Sequence, residues 1–185
     1  ELLAVGRRAG SGAVVGRLHP AVLERALAGK RVVRLKSGDP CIFGRGGEEA
    51  EELAAAGVPF EVVPGISSAQ GAAAAACIPL THRDYASDVT FATGHAVGDT
   101  PRPGTMVLFM AARQLEANLR RVMGGGRPAS TPAAFIEQAT RPEQRVVVGT
   151  LGDLHERVGA SADGAPALVI IGDVVRVRAA ILEPA

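Results

Sequence analysis

The chain has 185 residues, 47% of them hydrophobic, and a formal net charge of +1 at neutral pH. That is enough apolar material for one sizeable core or two small ones. The near-zero charge leaves no bulk field for nucleic acid, and with 3% aromatics and no Trp there are too few rings for base-stacking platforms.

No apolar run reaches the ~18 residues of a membrane-crossing helix, and no signal peptide is expected. The predicted setting is therefore cytoplasmic, with no membrane partner. Cys41 and Cys77 stand near no second Cys or His at ligand spacing. They predict no disulfide framework and no metal site, and both read as small buried hydrophobes. Charge is uneven along the chain. Residues 1–45 hold nine Arg or Lys against three acids, and residues 46–64 hold five Glu and no base. A basic opening segment suits an anionic ligand, although a solvated face is the commoner use of such a run.

Glu1 to Val5 runs into Gly6-Arg7-Arg8-Ala9-Gly10 without an initiator Met, so the chain reads as cut at its start. Pro20 to Ala28 has helical spacing, with Pro20 suited to the first turn. Val32 to Lys36 is rich in β-branched residues and predicts a strand. It breaks into Ser37-Gly38-Asp39-Pro40, a turn composition. Glu48 and Glu49 then open a helix to about Ala56, where acids suit the helix dipole. Phe60 to Val63 predicts the next strand. After Pro64-Gly65, Ser67 or Ser68 caps a helix of small residues from Ala69 to about Cys77.

Beyond that helix the pattern predicts strands at 89–93, 105–110, 133–137, 145–149 and 167–172. Helices are predicted at 113–123 and 151–158. The order mixes βα units with successive strands, which implies an α/β fold with a partly mixed sheet in the second half. The expected domains are 1–79 and 80–185.

The loop from Ser37 to Gly47 resembles the tetrapyrrole methylase family, and in particular its uroporphyrinogen-III C-methyltransferases. So do the segments Val63-Pro64-Gly65-Ile66-Ser67-Ser68-Ala69 and Pro79-Leu80-Thr81-His82-Arg83-Asp84-Tyr85-Ala86-Ser87. Further matches, in family order, are Thr90-Phe91-Ala92-Thr93-Gly94-His95, Pro142-Glu143-Gln144-Arg145 and Gly149-Thr150-Leu151.

The resemblance implies a two-domain α/β fold with the active site in the cleft between domains, and a homodimer. It implies S-adenosylmethionine as methyl donor, with S-adenosylhomocysteine as product. It implies two methylations of uroporphyrinogen III to precorrin-2, on the route to sirohaem and cobalamin. Carried over by position, the cofactor contacts are Ser37, Gly38, Asp39, Ile42, Ser67, Ser68, Met110, Ala139 and Ala167. Arg8, Arg45 and Arg83 are the expected partners of the substrate's carboxylates, because a guanidinium grips a carboxylate with two parallel bonds.

Arg7 occupies the place of a proton-donating lysine, since Gly-Lys-Arg-Ala-Gly of the family is here Gly6-Arg7-Arg8-Ala9-Gly10. The family's glycine-rich first strand and loop, with the acid that follows it, has no counterpart, so the first βα unit is expected to be missing. Ser37 replaces the first glycine of a Gly-Gly-Asp. Two alternatives stand beside the leading one. One is a methylase of a later precorrin; the other is a truncated, non-catalytic paralogue that binds cofactor or partner only.

Overall fold

The computed structural model describes residues 1–5, 18–94, 103–160 and 165–183. Their contacts divide the chain into two compact units, Glu1–Ser67 and Ser68–Ala185. The division falls before the small-residue helix, whereas the sequence suggested a boundary after it, near Pro79. The reason lies in that helix, α3 (Ser68–Ala75). Ala69, Ala72 and Ala73 are buried along it, and it packs against the last strand of the second unit.

The second unit is a five-stranded mixed sheet in the order β1-β2-β5-β3-β4. Its strands are β1 (Val89–Thr93), β2 (Thr105–Phe109), β3 (Pro132–Glu137), β4 (Arg145–Thr150) and β5 (Ala167–Ile171). β1 and β2 are parallel; every other pair is antiparallel. All residues of β2 and β3 are buried. Their near-continuous apolar sequence fits strands covered on both faces, while β1 and β4 lie at the edges. Helix α4 (Leu115–Gly124) buries Leu115, Asn118, Leu119 and Val122, the one-face spacing of an amphipathic helix. With Leu154 and Val158 of α5 (Leu154–Val158), that face packs on Met106, Leu108, Phe135 and Val169. A short 3-10 turn at Asp173–Val175 leads into α6 (Arg176–Leu182), two elements the sequence pattern did not suggest.

The first unit carries α1 (Pro20–Leu27) and α2 (Gly46–Ala55). Pro20 opens α1, and the His19 imidazole accepts the Ala21 amide at 3.2 Å as its cap. The predicted strands at 32–36 and 60–63 do not form as strands among the described residues. Both segments lack ladder partners there, and Val33, Leu35 and Val63 are more than 70% exposed. β-Branched composition favours an extended chain, but a strand also needs a neighbouring backbone. One partly buried cluster does hold the first of these segments. Lys36 pairs with Glu49 at 2.6 Å and donates to the Gly44 carbonyl at 2.8 Å, and Arg34 approaches Glu49 at 3.5 Å. The two cysteines differ from expectation as well. Cys41 is exposed and Cys77 is half-buried, because each sits in a turn and not on a packed face.

Candidate functional site

In the first unit, Ser37, Gly38, Asp39 and Ile42 share one turn. The Asp39 carboxylate shapes it. One oxygen accepts the Cys41 amide at 2.8 Å and the other accepts the Gly65 amide at 3.0 Å. These two backbone donors hold its pKa below the ordinary carboxylate value of 3.8. The Gly65 bond ties the turn to the Pro64-Gly65 segment that leads to Ser67. Contact there is close: a Cβ built on Gly65 would lie 3.0 Å from the Gly38 carbonyl oxygen. The turn closes on itself where the Gly46 amide donates to the Pro40 carbonyl at 2.8 Å. Ser67 is buried, and Ser68 is exposed at the start of α3.

In the second unit, three expected cofactor residues meet at one end of the sheet. Phe109 pairs with Leu168, so Met110 leaves β2 beside Ala167. Glu137 pairs with Ala167, so β3 also ends there. The Gln138 amide then donates to the Pro166 carbonyl at 2.9 Å and Ala139 follows. β1 ends at the same place, its Gly94 amide donating to the Phe109 carbonyl at 2.7 Å. The carboxyl ends of β1, β2 and β3 and the start of β5 therefore form one rim. In open α/β sheets the carboxyl ends of strands are where ligands bind.

Backbone strain marks the same positions. Among the described residues, six non-glycines take positive φ: Phe43, Arg45, Cys77, Met110, Gln138 and Thr140. Each such position costs on the order of 1–3 kcal/mol. Phe43 follows Ile42, Met110 is itself a candidate, and Gln138 and Thr140 flank Ala139. No side chain here is of the type that favours this conformation, so nothing in the sequence pointed to it.

The arginines divide. Arg83 is exposed and makes no hydrogen bond or ion pair among the described residues. It projects from a tight turn in which His82 and Ala86 exchange backbone bonds of 3.0 and 2.9 Å. His82 is part of that turn: its Nδ1 accepts the Asp84 amide at 3.2 Å and its ring lies 4.9 Å from Tyr85. Arg45, at the start of α2, pairs with Glu48 at 3.3 Å in the open. Arg7, Arg8 and His95 lie outside the described residues. A cavity of about 420 Å³ opens between α4 and α5, lined among others by Arg113, Glu116, Phe135 and His155. None of the expected site residues lines it. Among the described residues no cluster of His, Cys, Asp and Glu suits a metal ion, and no helix is long and apolar enough to cross a membrane.

A mixed five-stranded sheet whose strand ends gather strained turns and small residues places the chain among α/β proteins. The family follows from comparison: the model of the Tetrapyrrole (Corrin/Porphyrin) Methylases matches residues 12–155, and the chain belongs to that family. It is 50% identical over 188 aligned positions to a siroheme synthase of Pseudomonas fluorescens, covering 96% of this chain and 40% of the relative. It thus spans about two fifths of the length of such relatives. Among solved structures it is similar to a uroporphyrin-III C-methyl transferase of Thermus thermophilus complexed with S-adenosylhomocysteine. That likeness has 38% identity and a TM-score of 0.74, over 85% of this chain and 72% of the other. It is also similar to a cobalt precorrin-4 methyltransferase, at 31% identity and a TM-score of 0.68, over 83% of this chain and 68% of that one.

Proposed function

We propose that this chain is an S-adenosylmethionine-dependent C-methyltransferase that methylates uroporphyrinogen III twice, giving precorrin-2 for sirohaem and cobalamin synthesis. The observation that carries this reading is the convergence of Met110, Ala139 and Ala167 on one rim of the sheet. It occurs in a chain that resembles a solved methyltransferase carrying S-adenosylhomocysteine.

The residues suit such a cofactor. Adenine and ribose need backbone groups and small side chains, which the strained turns at Met110 and Ala139 supply. A zwitterionic tail needs donors for its carboxylate. Backbone amides at the start of α3 and the Ser67 and Ser68 hydroxyls are donors of that kind. Ser37, Gly38, Asp39 and Ile42 complete the proposed cofactor contacts, Asp39 by fixing the shape of their turn. When bound, the cofactor supplies a methyl already activated on a sulfonium. The chain's task is then to hold donor and carbon nucleophile in line and to exclude water. Arg83, Arg45 and Arg8 are proposed to grip substrate carboxylates, and Arg7 to act as a further cationic anchor where the family has lysine. With this reading go a cytoplasmic setting and a homodimer. The exposed Val33, Leu35, Val63 and Ile66 of the first unit are the sort of surface a partner covers.

The test uses the full-length protein with methyl-labelled S-adenosylmethionine and uroporphyrinogen III. Two labels per tetrapyrrole are expected. No label on uroporphyrinogen III, but label on a later precorrin supplied in its place, would favour the second reading, which the likeness to the precorrin-4 enzyme supports. Cofactor binding without transfer to any tetrapyrrole would mean a non-catalytic paralogue. Arg83→Ala is expected to raise the KM for the tetrapyrrole about tenfold, the loss of one charge-assisted bond, with the KM for S-adenosylmethionine unchanged. An equal rise in both would make Arg83 structural.

A further inference from the structure

We propose that Gln144 is a positioning residue that couples two parts of the cofactor site through the two ends of its side-chain amide. This inference rests on the cofactor reading above.

Helix α3 ends at Ala75. A helix leaves its last carbonyls without intrahelical partners. Here the terminal turn takes up the earlier ones. The amides of Ala76, Cys77 and Ile78 bond to the carbonyls of Ala72, Ala74 and Ala73 at 2.9, 3.1 and 2.9 Å, with Cys77 at φ 53°. The carbonyls of Ala75 and Ala76 go instead to side chains far along the chain. Ala75 accepts Gln144 Nε2 at 3.1 Å, and Ala76 accepts an Arg178 guanidinium nitrogen from α6.

The other end of the Gln144 amide faces the rim of the sheet. Its Oε1 accepts the Thr140 backbone amide at 2.7 Å. Thr140 is one of the two left-handed residues that flank Ala139, at φ 70° beside Gln138 at φ 50°. The turn is closed further by Arg141 donating to the Gln138 carbonyl at 3.1 Å and Gln144 to the Arg141 carbonyl at 3.0 Å. A backbone held in this region needs its surroundings to keep it there, and the Gln144 oxygen is one such restraint.

A primary amide is suited to this place because it offers a fixed acceptor and a fixed donor together. An ionised carboxylate of the same length only accepts, and a thioether does neither with any strength. One side chain thus sets the Ala139 turn and the far end of α3 in register. The start of α3, at Ser68, lies about 10 Å away along the helix at 1.5 Å per residue. Any shift at Ala75 is carried rigidly to the amides proposed to meet the cofactor carboxylate.

The experiment compares wild type, Gln144→Met and Gln144→Glu in the full-length protein. Three quantities are read: S-adenosylhomocysteine affinity by calorimetry, the KM of each substrate, and ligand-free hydrogen exchange at the Thr140 amide. Gln144→Met is expected to lose Thr140 protection, to weaken S-adenosylhomocysteine about tenfold and to raise the KM for S-adenosylmethionine similarly. The KM for uroporphyrinogen III and the helical circular dichroism should stay within twofold. Gln144→Glu keeps the acceptor and loses the donor, so Thr140 stays protected while affinity still falls. Unchanged affinity in either variant, or an equal rise in both KM values, would overturn the inference while leaving the cofactor reading intact. Wild type that protects Thr140 through Gln144 yet binds no S-adenosylhomocysteine would overturn the cofactor reading, and the positioning role with it. Should Gln144→Met fail to fold, Gln144→Glu alone decides between these outcomes.

Discussion

Asp39 shows how a carboxylate shapes a turn through the backbone. Both of its oxygens accept amides, from Cys41 and Gly65, and its pKa lies below the ordinary value. Because the folded-state value is depressed, the ionised form contributes stability above the unfolded value of about 3.9. That contribution is lost as pH falls through the lower folded value. Asp39→Asn is therefore expected to lower the urea midpoint at pH 6 to 7, with the gap to wild type closing below about pH 4. A gap independent of pH would mean that charge on Asp39 is not what holds the turn. Arg7 poses the opposite problem: a guanidinium, unlike a lysine ammonium, has no proton to give up in the working pH range. If it is an anchor, Arg7→Lys in the full-length protein will leave the methylation rate within about threefold. A gain of roughly tenfold or more, the scale of recovered acid–base catalysis, would assign the proton step to the lysine.

At the scale of elements, β1, β2 and α4 meet at a single point. A Cβ on Gly94 would lie 2.7 Å from the Asn118 Nδ2 and 3.0 Å from both the Ala111 Cα and the Met110 carbonyl oxygen. Only glycine lets β1 end this close to the strained turn after β2. Gly94→Ala is expected to destabilise the protein by about 1–3 kcal/mol, the usual cost of overpacking. It should weaken S-adenosylhomocysteine as well, because Met110 must move. A thermal melt with calorimetric titration checks both; a variant with wild-type values would mean that the Asn118 amide, which has no hydrogen-bond partner among the described residues, simply swings aside.

Elements of this kind were legible where hydrophobic period and turn residues agreed. β1 runs over Val89–Thr93 as read, and β2, β3, β4 and β5 differ from their expected ends by a residue or less. α6 was not legible: Arg176–Leu182 is only seven residues long, too short for its apolar spacing to stand out, and it has no buried residue. The strand readings at 32–36 and 60–63 failed for the opposite reason. Their composition fits a strand, but pairing is a property of two backbones and not of one.

Over the whole molecule, the candidate site was legible as residue types and not as geometry. The resemblance named Met110, Ala139 and Ala167 without bringing them together. Their meeting depends on register, which pairs Phe109 with Leu168 and Glu137 with Ala167, and no local pattern encodes it. Gln144 lies within a matching segment, but its partners at Ala75 and Thr140 are far from evident in the sequence and become visible only in the fold. Left-handed Gln138 and Thr140 carried no signal at all.

The sheet order also fixes when the protein can fold during its own synthesis. Of the five described strands β5 is made last, yet it lies between β2 and β3. Until Ala167–Ile171 leaves the ribosome, the nascent chain holds two separate ribbons, β1 with β2 and β3 with β4. Two-stranded ribbons are marginal on their own. At about 5–20 residues per second, the interval between completing β4 at Thr150 and completing β5 is on the order of seconds. Throughout it the faces of Val107, Leu108 and Phe135, all fully buried in the finished fold, lack their central neighbour. The nascent chain is therefore most exposed to proteases and to sticking in the interval before β5 emerges. A chain stopped at Gly159 is expected to melt without cooperativity and to be cleaved rapidly between β2 and β3. A cooperative melt in that truncated chain would show that the sheet closes without its last strand.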